Sequence, residues 1–146
     1  MARHALVVDA SVGVKWFSDK GEASLAPALA IRDGHVAGIN QIVVPELFHY
    51  EVANALVQKR HIPTEEVQRA IQNLFGLSLE VFTIDAELMV EAVKRAREFK
   101  ITVYDASYIA VAEKCNCPLV TANPRHQGLA VGCQVIPLEQ WPKGSG

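Results

Sequence analysis

Three carboxylates of this chain could act together: Asp9, Glu51 and Asp105, with the polar step Thr121-Ala122-Asn123 as a fourth member. Clustered carboxylates repel one another and take up protons unless a cation lies among them. A set of hard oxygen ligands with room for water suits Mg²⁺ or Mn²⁺ rather than zinc. Such ions activate water and stabilise charge on a phosphodiester during in-line displacement. That chemistry requires the elements carrying the four positions to bring them to one place.

Asp9 abruptly ends the run His4–Val8, whose centre is Ala-Leu-Val-Val. Its β-branched residues and lack of alternation predict a central parallel strand covered on both faces. The carboxyl end of such a strand is where open α/β sheets bind ligands. Pro118-Leu-Val-Thr121 is a second run of this kind, broken at Ala122-Asn123-Pro124. Glu51 belongs to a helix predicted from Pro45, in its first turn, to about Arg60. Leu47 and Ala55 lie one turn to either side of it and Phe48 at i−3, so Glu51 borders the apolar face. Asn54, at i+3, shares that border and can orient the carboxylate.

Asp105 precedes a helix that is apolar on nearly every side. Ser107, Glu113 and Lys114 are its strongly polar members before Cys115. Tyr108, Ile109 and Ala112 share the face of Asp105 at i+3, i+4 and i+7. A helix with so little polar surface packs on more than one side, where a carboxylate is costly to hide unless compensated. Each acid also has a plain structural explanation. Asp9 and Asp105 can be helix caps, and Glu51 can sit at the solvent edge of an amphipathic helix.

The remaining chain alternates in the same way. Ala10–Ser18 reads as a short helix capped by Asp9 or Ser11, and Glu22–Val36 as a helix interrupted by Pro27. Gln41–Val44, Leu79–Ile84 and Gln134–Ile136 are further strand candidates. Pro63-Thr64-Glu65-Glu66 begins a helix, with Thr64 as cap, that runs to about Leu77. Asp85 caps another that runs to Phe99, with Lys94, Arg95, Arg97 and Lys100 on its outer face. Strands alternating with helices predict an α/β fold with a parallel, doubly covered sheet. The strand ends then share one edge, where Asp9, Glu51, Asp105 and Asn123 can converge.

At 146 residues, 50% hydrophobic and 21% charged, the expected organisation is one domain over residues 1–140 with a flexible tail at 141–146. A formal net charge of −2 gives no global attraction to nucleic acid, so local basic patches or metal ions must supply it. Cys115, Cys117 and Cys133 are an odd number without a secretion signal, which predicts reduced thiols. Cys-Asn-Cys at 115–117 has no second pair and no nearby His, and reads as small buried hydrophobes. With no apolar run of membrane-spanning length and no signal-peptide layout, a soluble cytoplasmic protein is expected.

Four stretches carry a family likeness. They are Leu-Val-Val-Asp9-Ala-Ser, Val-Pro-Glu-Leu-Phe-His-Tyr-Glu51-Val-Ala-Asn-Ala-Leu, Val-Tyr-Asp105-Ala-Ser-Tyr-Ile-Ala-Val-Ala-Glu and Leu-Val-Thr121-Ala-Asn123. In this order and spacing they resemble the motifs of the PIN-domain family, and most of all its VapC-type toxin ribonucleases. The likeness runs from about Leu6 to Ile136. It implies a PIN-like three-layer sandwich with a five-stranded parallel sheet between helices. It also implies Mg²⁺- or Mn²⁺-dependent endonucleolytic cleavage of RNA, neutralisation by a cognate antitoxin, and a homodimer. By matching position, Asp9 and Asp105 would be the main metal ligands. Glu51 would complete the cluster, holding a water of the ion's shell or a second ion.

One position departs from the pattern: the fourth motif usually carries Asp where this chain has Asn123. An amide offers a carbonyl oxygen without charge, so it can ligate or orient water while binding a cation less tightly. Weaker metal affinity, or one ion in place of two, is the expectation. Arg125 and His126 follow directly and could touch a phosphate.

Two other classes remain open on the sequence. One is a degenerate PIN domain that binds RNA or a partner without cutting, which Asn123 favours. The other is a phosphoryl-accepting α/β domain. A haloacid-dehalogenase-like phosphatase needs an acid two residues after the first, where this chain has Ser11. A receiver needs an adjacent acid pair after its first strand, which is missing. No glycine-rich loop follows that strand to cradle a dinucleotide.

Overall fold

The computed structural model describes residues 4–123 and 132–142. Arg125 and His126, expected near a phosphate, lie outside the described residues. Five strands form one parallel sheet: β1 (His4–Val8), β2 (Asn40–Pro45), β3 (Glu80–Phe82), β4 (Leu119–Thr121) and β5 (Val135–Pro137), in the order β3-β2-β1-β4-β5. Among the described residues, six helices flank it: α1 (Ala10–Gly13), α2 (Leu25–Val36), α3 (Leu47–Val57), α4 (Thr64–Gly76), α5 (Ala86–Phe99) and α6 (Val103–Cys115). A 3₁₀ turn, Val14–Trp16, continues α1. This is the three-layer α/β arrangement that the sequence pattern predicts.

The strand order reverses at β1. The chain steps outward from β1 through β2 to β3, then returns to add β4 and β5 on the other side. A crevice opens at such a reversal, outside the carboxyl ends of the strands. Asp9 follows β1 and Asn123 follows β4, so the topology alone puts both beside it.

The central layer is dry. Leu6, Val7 and Val8 of β1 and Ile42, Val43 and Val44 of β2 are all buried, which accounts for their unbroken apolar runs. Every residue of α6 from Ala106 to Ala112 is buried as well, because α6 packs on the sheet and is covered by α5. Burying a side chain such as Ile109 contributes roughly 2 kcal/mol. Arg95 of α5 holds the two helices in register, donating from Nε and Nη2 to the carboxylate of Glu113 at 3.0 and 2.8 Å. Arg95 therefore faces α6 and does not join Lys94, Arg97 and Lys100 on an outer basic face.

Several boundaries differ from the sequence expectation. Helix α2 begins at Leu25, not Glu22, so Pro27 falls in its first turn. There the missing N–H costs nothing and no interruption results. Pro45 ends β2, paired with Phe82, instead of starting α3. Thr64 is the first helical residue of α4 and Pro63 occupies the cap position, without a side-chain bond. Asp85 does cap α5, accepting from the Leu88 amide at 2.8 Å. Trp141 packs against the core.

One glycine sets the distance between α1 and α3. A Cβ on Gly13 would lie 2.5 Å from Phe48 Cζ and 3.0 Å from Val52 Cγ2. Only a residue without a side chain lets α1, which follows Asp9, approach the helix that carries Glu51 this closely.

Candidate active site

The register of the sheet fixes the first half of the site. Val7 pairs with Leu119 and Val8 with Val120, so the next residues, Asp9 and Thr121, emerge abreast at the carboxyl edge. Thr121 Oγ1 donates to Asp9 Oδ2 at 2.5 Å. The Ser11 amide donates to Asp9 Oδ1 at 3.1 Å, and the Ser11 hydroxyl donates to the same oxygen. Asp9 is thus the N-cap of α1 as well as a candidate site residue. Ser11 Oγ in turn accepts from the Ala122 amide at 3.0 Å, and Thr121 Oγ1 from the Asn123 amide at 2.9 Å. These bonds hold the loop after β4, with Asn123, against the end of β1. Only 5% of the Asp9 surface reaches solvent.

The second half comes from α3 and α6. Asp105 is not the cap of α6. That place belongs to Thr102, whose Oγ1 accepts from the Asp105 amide at 3.0 Å. Asp105 stands one residue triplet later, in the first turn, where the partial positive charge of the helix end favours an anion. One turn further along α6, Tyr108 donates its phenol hydrogen to Glu51 Oε1 at 2.5 Å. Burial suppresses ionisation of this phenol, and the charges of Glu51, Asp9 and Asp105 all add to the effect. Tyr108 therefore stays protonated and keeps donating. Glu51 bonds to this phenol, and Asp105 lies one turn before it on α6.

The donor set to be weighed against a divalent cation is Asp9, Glu51 and Asp105. Among the described residues, no three His, Cys, Asp or Glu side chains form a ready-made metal-binding group. A hard ion such as Mg²⁺ is commonly held by one or two carboxylates and keeps several waters, so its binding does not require a closed cage of protein ligands. Soft ligands lie elsewhere. Cys115 and Cys117 line a cavity of about 520 Å³ with His4 and Leu6, near the amino ends of the strands. All three cysteines are free, and burial pushes the Cys117 thiol up to about 12 and that of Cys133 to about 11.

A family model for the PIN domain matches residues 6–131. The chain belongs to the PIN-domain family. Ribonuclease VapC9 of Mycobacterium tuberculosis is 31% identical to this PIN domain over 112 residues, 71% of this chain and 84% of the relative. Among solved structures, a toxin–antitoxin complex from Klebsiella pneumoniae superposes with a TM-score of 0.65 at 21% identity, covering 91% of this chain and 97% of that one. The protein PAE2754 from Pyrobaculum aerophilum gives 0.67 at 24% identity, covering 94% and 85%. The VapC relative puts this PIN domain with the VapC-type proteins, and the two superpositions establish the shared fold.

Sequence reasoning missed three residues of the site. Ser11 entered only as a possible cap. Thr102 was legible, since Thr102-Val-Tyr-Asp105 has the spacing of a helix start with an acid at its third position. Tyr108 was placed on the face of Asp105 by the helical period, but its partner Glu51 is 57 residues away. Tertiary packing alone supplies that contact.

Proposed function

We propose that this PIN domain is a VapC-type toxin: a Mg²⁺- or Mn²⁺-dependent endoribonuclease that hydrolyses RNA phosphodiesters and is neutralised by an antitoxin. The observation that carries this reading is the Tyr108–Glu51 hydrogen bond, which joins the helix of Glu51 to that of Asp105, with Asp9 following β1 where the strand order reverses. The 31% identity to a VapC ribonuclease supports the substrate class. A fold shared with a toxin–antitoxin complex agrees with an antitoxin partner. A homodimer working in the cytoplasm completes the reading.

Asp9 and Asp105 would hold the ion, with Glu51 beside them. When bound, it supplies the positive charge that polarises the scissile phosphate and favours deprotonation of the attacking water. Asp9 is fixed for this role by Thr121 and Ser11, so its oxygens need no reordering when the ion arrives. Tyr108 locks one oxygen of Glu51 and so fixes the direction of its carboxylate. Asn123, held beside Asp9 through Thr121, adds an uncharged amide where an acid would add charge.

Stripping the protein with chelator should abolish cleavage of a structured RNA pool, and adding back Mn²⁺ should restore it in the native chain but not in Asp9→Asn. A second reading, a binding module that does not cut, is favoured by Asn123 and by the spaced arrangement of the acids. It predicts RNA retention without metal-dependent products in the same experiment.

A further inference from the structure

Lys15, in the 3₁₀ turn after α1, is the only buried lysine or arginine among the described residues, with 8% of its surface exposed. Its Nζ and that of Lys59 each bond the Glu22 carboxylate at 2.9 Å. Two ammoniums thus share one carboxylate, and the cluster keeps one positive charge in excess. Lys59 is 20% exposed and can turn its charge toward water, whereas Lys15 cannot. A buried charge without a full partner is costly. The Lys15 ammonium also has three hydrogens, of which one goes to Glu22.

Lys15 lines a cavity of about 300 Å³ at the carboxyl ends of β4 and β5, with Ser24, Thr121, Ala122, Leu138 and Glu139. Parallel sheets take their ligands at this edge. The cavity shares no lining residue with the crevice beside Glu51, yet it adjoins the first acid, because Thr121 lines it and bonds Asp9. Ser24 precedes α2, and its hydroxyl makes no cap bond to that helix. Glu139 is the exposed acid of the lining and opposes an anion there.

These donors narrow the occupant. An ammonium and a hydroxyl beside surplus positive charge call for a compact anion with several acceptor oxygens. A phosphate group has those oxygens, and a lysine serves it as a point charge. It also carries more charge than a carboxylate to set against Glu139.

We propose that this cavity is a phosphate-group site, separate from the acidic crevice, in which Lys15 and Ser24 bind the phosphate oxygens. Neither residue takes part in bond breaking. The group can come from the RNA strand, whose neighbouring phosphate would reach the cavity past Thr121, or from a free phosphate. In the first case the site rests on the ribonuclease reading and deepens it, by naming a second hold on the substrate; in the second it stands without that reading.

The test uses the full chain in chelator, so that binding is read without cleavage. Cleavage in Mn²⁺ is followed separately and reports on the ribonuclease reading alone. Inorganic phosphate is titrated by calorimetry at fixed ionic strength, with acetate as a control. A short fluorescent RNA of random sequence is titrated at several salt concentrations. The native chain should bind phosphate and ignore acetate. Lys15→Met, which keeps the stem and leaves Glu22 paired with Lys59, should weaken phosphate binding about tenfold, whereas Lys15→Arg should stay within about threefold. Glu139→Gln, an exposed change that removes the opposing charge, should tighten binding about threefold. Thermal unfolding checks Lys15→Met, and Glu139→Gln carries the test alone if that variant does not fold. RNA affinity that falls about tenfold in Lys15→Met, with a salt slope smaller by about one, would name the strand as the source. Unchanged RNA affinity beside Lys15-dependent phosphate binding would name a free phosphate. A folded Lys15→Met, or Glu139→Gln in its place, that binds phosphate and RNA as the native chain does would overturn the site.

Discussion

The phenol of Tyr108 on α6 donates to Glu51 Oε1 on α3 at 2.5 Å, and this bond ties together the two helices that carry the second and third acids of the site. Because burial and three nearby carboxylates keep the phenol protonated, the bond persists across the working pH range.

Tyr108→Phe therefore removes a positioning contact without opening a cavity. The expected cost in stability is about 1 kcal/mol, because the half-buried Glu51 can turn to water. Metal-dependent cleavage should fall about 10–100-fold, the usual effect of deleting a group that orients a metal-site carboxylate. Comparing thermal unfolding with cleavage at several Mn²⁺ concentrations separates the two. Loss of stability with unchanged cleavage would show that Tyr108 is only core.

Gly13→Ala tests the approach of α1 to α3. Alanine favours the helix by up to about 1 kcal/mol, but the new methyl meets the Phe48 ring at 2.5 Å. Net destabilisation of about 1–2 kcal/mol is expected in denaturant unfolding. Cleavage should drop further than stability predicts, because Phe48 lies on the helix that positions Glu51.

Asn123→Asp restores a charge beside Asp9. Mn²⁺ affinity measured by calorimetry should rise by about tenfold, equivalent to about 1.4 kcal/mol. An unchanged affinity would mean that residue 123 does not face the ion.

Glu22 supplies a test remote from chemistry. It joins Lys15 and Lys59, each at 2.9 Å, and Lys15 is buried. Burial alone would raise its pKa, but the two lysines outweigh that and lower it below the ordinary 4.5. Its contribution is complete above that value and is lost as pH falls through the lower folded value. Glu22→Gln should cost about 1–2 kcal/mol at neutral pH, with the difference from the native chain vanishing in acid. A difference that persists unchanged into acid would show that charge is not its source.

Much of this arrangement is legible in the chain because period and composition carry it. β1 matches its predicted run at both ends, and its buried part, Leu6–Val8, is apolar because both faces are covered. The parallel sheet follows from alternation of runs and helices, and with it the shared edge at which β1 runs into Asp9 and β4 into Asn123. What the chain conceals is decided by packing. Pro45 suits the first turn of a helix as well as the end of a strand, and pairing with Phe82 decides the matter. Arg95 shares a charged stretch with Lys94 and Arg97, and only Glu113 across the helix pair turns it inward. Asp105 could cap its helix on local grounds, but Thr102 starts the helix earlier and frees the carboxylate from that duty.

The central claim is that the acids of this site cut RNA with a divalent ion. The most direct measurement is cleavage of a structured RNA pool by the native chain and by Asp105→Asn, in Mn²⁺ and in chelator, with Mn²⁺ binding measured on the same samples. The account predicts products from the native chain in Mn²⁺ only, and neither products nor full Mn²⁺ affinity from the variant. Products that survive chelator, or that Asp105→Asn makes as well as the native chain, would contradict it.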